Sequence, residues 1–141
     1  MYNGQKNGRT EEGAEMVMSY VMVYIGSVVI FLWGIGHLIS TRSIVAGFGA
    51  LSEDNKRILT MEWIAEGLTL CFIGMLVFLV TSFAGPHNLV SVIVYRAAAW
   101  MLVVMAGLTF MTGAKTSITA MKICPLVKSI VAILFFLGSA W

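Results

Sequence analysis

The chain has 141 residues, of which 59% are apolar and 11% charged, where a soluble domain carries about 25% charged residues. Its mean hydropathy is +0.90, and a soluble fold of this length buries too small a share of its chain to hide that much apolar surface. A soluble enzyme and a disordered chain are therefore poor readings, and a net charge of +2 gives no broad basic footprint for nucleic acid.

Residues 1–15 are polar and mixed in charge, and read as a short exposed arm or interfacial turn. Glu11, Glu12 and Glu15 lie ahead of the first apolar stretch, where acidic groups suit a helix dipole. The arm lacks the basic region and small-residue cleavage site of a signal peptide, so the first helix is expected to be retained. A spanning helix needs roughly 20 apolar residues, and residues 16–39, 58–83, 89–112 and 116–141 supply them. Helix one is expected to end near Gly36, His37 and Ser40. The longest connection follows, a glycine-containing segment that lies along the membrane surface or folds back as a lid. Ser52 reads as the N-cap of helix two, with Glu53 and Asp54 in its first turn. Gly85 and Pro86 mark a tight turn before helix three. Helix four can begin anywhere from Lys115 to Ala120, and Pro125 implies a kink or a late start.

Open strands leave unpaired edges in lipid, and the apolar runs lack the alternation of a membrane barrel. The expected fold is all-α, a single integral membrane domain built as a four-helix transmembrane bundle. Gly67, Gly74, Ala97 to Ala99, Ala106 and Gly107 are small residues that permit close helix contact. Cys71 and Cys124 read as buried apolar thiols. With no C-x-x-C and no Cys/His cluster at zinc spacing, no metal centre and no cofactor is expected. The ten methionines read as lipid-facing or core filler rather than a metal path. Loops one and three hold Arg42, Lys56, Arg57, Lys115 and Lys122, against Lys6 and Arg9 on the other side. The positive-inside rule then places both termini of this multi-pass cell-membrane protein on the non-cytoplasmic side.

The informative residues are ionisable groups inside the spans. Each costs about 2.5 to 3.5 kcal/mol at a helix centre, so such groups face the bundle interior and serve a purpose. They are His37, Glu62, Glu66, Arg96 and Lys128. Counted along the helices at about 1.5 Å per residue, His37, Glu62 and Glu66 share the cytoplasmic edge. Lys128 lies deeper and reaches toward them, whereas Arg96 belongs to the other half, where it snorkels or points inward. Glu62 and Glu66 are four residues apart on one helix face, and Thr69 continues it. In a dry site two such carboxylates hold one proton between them; a neighbouring His37 or Lys128 neutralises them equally well. As a first turn of helix two, with Lys56 and Arg57 just upstream, they are instead simply solvated. Glu62, Glu66 and His37 are the candidate acid–base residues. Trp33, Trp63, Arg96, Trp100 and Lys128 are the candidate ligand-binding residues. Tyr20, Tyr24 and Tyr95 join the tryptophans as pocket lining or interfacial anchors, and Trp141 reads as an anchor.

Helix two reads Glu62-Trp-Ile-Ala-Glu-Gly67-Leu-Thr-Leu-Cys-Phe-Ile-Gly74. This resembles the second helix of DoxX-like membrane proteins, where a glutamate, Gly-Leu-x-Leu and a further glycine recur. The end of helix one, Gly34-Ile-Gly-His37-Leu, and the following Gly47-Phe-Gly49 are similar in style. The likeness covers the first two helices and departs from the pattern in lacking a basic residue soon after Gly74. Only Glu62, Gly67 and Gly74 map onto it, and no catalytic role travels with them. The resemblance implies a small membrane subunit, of a family in which some members are linked to quinone-coupled oxidoreductases.

Three functions stay open at this stage. The first is an accessory subunit or a binder of a lipid-soluble ligand such as a quinone or isoprenoid. The second is a membrane-embedded acid–base enzyme of isomerase, cyclase or hydratase type, using Glu62 and Glu66. The third is a subunit of an oligomeric transporter or channel. The expected partners are membrane lipid, a lipophilic small molecule, and either a larger membrane complex or further copies of the chain.

Overall fold

Long apolar runs without internal breakers fold as helices because only intra-segment hydrogen bonds satisfy a backbone in lipid. The computed structural model describes residues 3–140, with side chains from 11 to 140. Helices α1 (Asn3–Ala46), α2 (Glu53–Ala84), α3 (Leu89–Met111) and α4 (Thr119–Gly138) follow one another, with a 3₁₀ turn at Gly113–Lys115 before α4. All four are long and apolar enough to cross a membrane, the architecture of a multi-pass membrane protein. The helix backbones pack in ring order, α1 to α2 to α3 to α4 and back to α1, and side chains of Glu66 and Lys128 reach across the diagonal between α2 and α4.

Helix α1 is longer than its apolar stretch at both ends. The segment expected as an arm is helical from Asn3, so Glu11, Glu12 and Glu15 lie within the helix rather than at its start. No proline interrupts residues 3–15, so the helix carries on past its apolar stretch despite Gly4, Gly8 and Gly13. At the other end Thr41 and Ser40 do not break the helix. Their hydroxyls donate back to the His37 carbonyl at 2.9 and 3.4 Å. The helix runs on to Ala46, which places His37 within it, and the chain turns at Gly49, whose φ is +78°. The expected long connection shrinks to residues 47–52, too short for a lid.

Helix α2 starts where the cap chemistry puts it. Asn55 N–H donates to Ser52 Oγ at 3.3 Å, and Glu53 and Asp54 fill the first turn. Gly85, at φ +76°, closes α2, and Val90 N–H donates to Asn88 Oδ1 at 2.9 Å to open α3. Helix α4 begins at Thr119, inside the expected range, and absorbs Pro125 in its interior. Trp141, expected as an anchor, lies outside the described residues.

Glycines bring α1 and α2 into backbone contact. A Cβ on Gly34 would lie 2.7 Å from the Gly67 carbonyl oxygen, and one on Gly74 would lie 2.6 Å from that of Ser27. Gly107 faces open space, and Ala97 is exposed. Val23, Ile30, Leu70, Val77, Leu102, Val131 and Phe135 fill the interior. Leu32, Ile39, Phe72, Val104 and Ile133 point outward, the distribution lipid permits. Of the four adjacent pairs, α2 and α3 touch least. The two are held together at the Gly85–Asn88 turn and part toward their other ends.

Candidate functional site

The parting of α2 from α3 leaves a cavity of about 390 Å³ near the first turns of α2 and α4. Leu59, Ala65, Met105 and Leu108 form much of its apolar wall, and Glu66, Thr109, Cys124 and Lys128 put polar atoms on it. Four helices thus contribute to one polar cluster: His37 from α1, Glu66 from α2, Thr109 from α3, Cys124 and Lys128 from α4.

Lys128 is fully buried. Its ammonium is ion-paired with Glu66 Oε1 and donates to Thr109 Oγ1 at 2.9 Å. The Thr109 hydroxyl accepts that bond and donates its own hydrogen to the Met105 carbonyl at 2.8 Å. A buried ammonium is tolerated only when paired and hydrogen-bonded, and this one has both kinds of partner.

His37 is held on two sides by indoles. Its ring stacks on Trp63 with centroids 4.7 Å apart and meets Trp33 edge-on at 5.8 Å. Trp63 Nε1–H also donates to the His37 carbonyl at 2.9 Å, so α2 grips this turn of α1 through both ring and backbone. His37 Nδ1 lies 3.0 Å from the Trp33 carbonyl oxygen. A carbonyl only accepts, so Nδ1 carries the hydrogen in the neutral imidazole, and the lone pair of Nε2 points to the cluster. There Nε2 is 3.6 Å from Cys124 Sγ and 4.0 Å from Glu66 Oε1. Cys124 Sγ is 3.7 Å from the same Glu66 oxygen and accepts from Trp33 Nε1–H at 3.5 Å.

His37, Glu66, Lys128, Trp33 and Trp63 therefore converge. Glu62 lines the same cavity at its exposed rim, so it and Glu66 do not make a dry pair sharing a proton; Lys128 neutralises Glu66 instead. Arg96 and Trp100 are not brought to the site. Arg96 Nη2 donates to the Ser139 carbonyl at 3.3 Å, and Trp100 is 62% exposed, edge-on to Phe136. The tyrosines serve the opposite end of the bundle. Tyr95 donates to Thr81 Oγ1 at 2.7 Å, Tyr24 to Ser82 Oγ at 3.1 Å, and Tyr20 stacks on Tyr24.

Two members of the cluster are missed by reading the chain residue by residue. Cys124 has one local signal, its position four residues before Lys128 on the same face of α4. Thr109 has none, because a threonine in an apolar helix commonly bonds its own backbone. Comparison of the chain with protein-family models, with curated proteins and with solved structures finds no match.

Proposed function

We propose that the protein binds a lipophilic small molecule with a hydrogen-bonding head, of the quinone or isoprenoid type, in the cavity between α2 and α3. The observation that carries this reading is the lining itself. The wall is apolar through Leu59, Ala65, Met105 and Leu108, and a compact set of polar groups, Glu66, Cys124 and Lys128, stands on it. At about 390 Å³ the space falls in the range of small-molecule pockets, roughly 300 to 1,000 Å³. Exposed Ala65 and Leu108 flank it on α2 and α3, so a ligand dissolved in the bilayer has a route in between these helices. The Lys128 ammonium can donate to a carbonyl or anionic oxygen, and the Trp63 indole offers a flat surface to a ring.

Titrating a short-tailed benzoquinone into the purified protein tests the reading. Indole fluorescence is expected to quench saturably, since Trp63 lines the cavity. Ala65→Phe, which fills the entrance, is expected to weaken that quenching at least fivefold. Equal quenching in both proteins would overturn the assignment to this cavity.

A role as a subunit of a membrane oxidoreductase rests on the DoxX-like pattern at Glu62, Gly67 and Gly74. Co-purification of a larger protein from native membranes, lost when α1 and α2 are replaced, tests it. The positive-inside count, five basic residues around loops one and three against two in the N-terminal segment, supports placing the cavity end at the cytoplasmic face.

A further inference from the structure

We propose that His37 Nε2, Cys124 Sγ and Glu66 Oε1 form a binding site for one soft monovalent metal ion of the copper(I) class. The three atoms come from three helices and enclose a triangle with sides of 3.6, 3.7 and 4.0 Å. Its centre lies about 2.2 Å from each atom. Metal–ligand bonds to imidazole, carboxylate and thiolate run from about 2.0 to 2.3 Å, so an ion fits with almost no movement of the donors.

The surroundings orient these donors toward one point. The Trp33 carbonyl fixes the hydrogen of His37 on Nδ1 and leaves Nε2 free to ligate, the usual arrangement behind a metal-bound histidine. Stacking on Trp63 fixes the ring plane. The indole N–H of Trp33 points at Cys124 Sγ, where it stabilises a thiolate.

Charge selects the ion. The carboxylate of Glu66 and the ammonium of Lys128 cancel, and the imidazole and thiol are neutral. On loading, the Cys124 S–H bond breaks, a sulfur–metal bond forms, and one proton leaves to solvent. A monovalent ion in exchange for one proton keeps the site neutral. A divalent ion adds a net positive charge beside a fully buried ammonium, which a membrane interior opposes. A carboxylate has about four lone-pair positions, so Glu66 can keep Lys128 and take the ion together. Thiolate and imidazole ligands suit both copper(I) and zinc(II), and the charge balance decides for the monovalent ion. Met105 and Met121 line the same cavity as Cys124 and add thioethers to its wall.

Ion loading and quinone binding are read separately, so either can fail alone. The test titrates silver(I), and copper(I) under anaerobic conditions with a chromophoric copper(I) chelator as competitor, into the full chain in detergent. One ion per chain is expected, with a sulfur-to-metal charge-transfer band and release of one proton. Cys71→Ser is expected to bind as the parent does, and Cys124→Ser to bind at least tenfold more weakly. Zinc(II) is expected to compete poorly. Silver(I) is also expected to slow alkylation of Cys124 by a membrane-permeant maleimide in the unaltered protein, a readout that survives if the variant misfolds. No loading above a detergent blank, unchanged binding in Cys124→Ser, unprotected Cys124, or zinc(II) binding tighter than silver(I) would each overturn the proposal.

Discussion

Lys128 has no exposed surface, whereas the side chain of Glu66, its partner, keeps 24% of its own. That asymmetry makes the two halves of the ion pair unequal. Removing the carboxylate leaves a buried ammonium with only neutral neighbours such as Thr109 and Cys124, and breaking a buried pair this way costs about 3 to 5 kcal/mol. Removing the ammonium leaves a carboxylate at a cavity wall, where it can rehydrate. Glu66→Gln is therefore expected to lower the melting temperature in detergent more than Lys128→Met, and the double variant to be more stable than Glu66→Gln alone. Equal losses for the two single variants would contradict the asymmetry. Trp63 supports the same site through its stack on the His37 ring and one donated bond to the His37 carbonyl. Trp63→Phe keeps the aromatic body and loses that bond, an expected cost of about 0.5 to 1.5 kcal/mol by equilibrium unfolding in mixed micelles. At this scale three of the ionisable groups flagged in the spans, His37, Glu66 and Lys128, lie together, because a buried ionisable group has to find a partner, whereas Arg96 bonds the Ser139 carbonyl elsewhere. The chain alone could not reveal which partner it finds. Glu66 pairs with Lys128 sixty-two positions away, and Cys124 joins His37 through the bundle rather than through any local spacing.

Helix contacts repeat that contrast between local and distant signals. The number of helices, the Ser52 cap and the Gly85 turn were legible, since each depends on a run of apolar residues or on chemistry within a few positions. The ends of α1 were not. Hydropathy marks where lipid stops, and a helix with no proline at that boundary crosses it unbroken, as residues before Met16 and after Ile39 do. Nor does composition separate a glycine that a neighbouring helix needs from one that faces outward. Gly34 and Gly74 lie where a Cβ would come within 2.7 and 2.6 Å of backbone atoms of the facing helix, whereas Gly36 and Gly107 meet nothing within 4 Å. Backbone cannot yield as a flexible side chain does, so Gly34→Ala and Gly74→Ala are expected to push α1 from α2 and cost about 1 to 3 kcal/mol. Gly36→Ala and Gly107→Ala should be neutral or stabilising by up to about 1 kcal/mol, through lower chain entropy. Thermal melts of the four variants check the split. Destabilisation by Gly107→Ala as large as that by Gly74→Ala would remove the explanation from contact geometry.

Over the whole molecule, one end of the bundle carries both the opening and the charge. The cavity, the parting of α2 from α3, and the exposed Arg42, Lys56, Arg57, Lys115 and Lys122 all lie toward the end where α1 and α3 finish and α2 and α4 begin. The opposite end is closed by the short α2–α3 turn and knitted by the Tyr95–Thr81, Tyr24–Ser82 and Arg96–Ser139 bonds. If the charged end faces the cytoplasm, as proposed, a ligand enters from the inner leaflet and a proton displaced by a metal ion leaves to the cytoplasmic side. Single cysteines at Ala50, just before α2, and Ala84, its last residue, both exposed, test this in a Cys71→Ser/Cys124→Ser background. A membrane-impermeant maleimide is expected to label Ala84→Cys in right-side-out vesicles and Ala50→Cys only in inverted ones. The reverse pattern would move the cavity to the outer leaflet while leaving the helix order intact. Labelling of both from one face would mean that α2 does not cross the bilayer. That result would also remove the Glu66–Lys128 pair from the lipid interior, since Glu66 rides on α2.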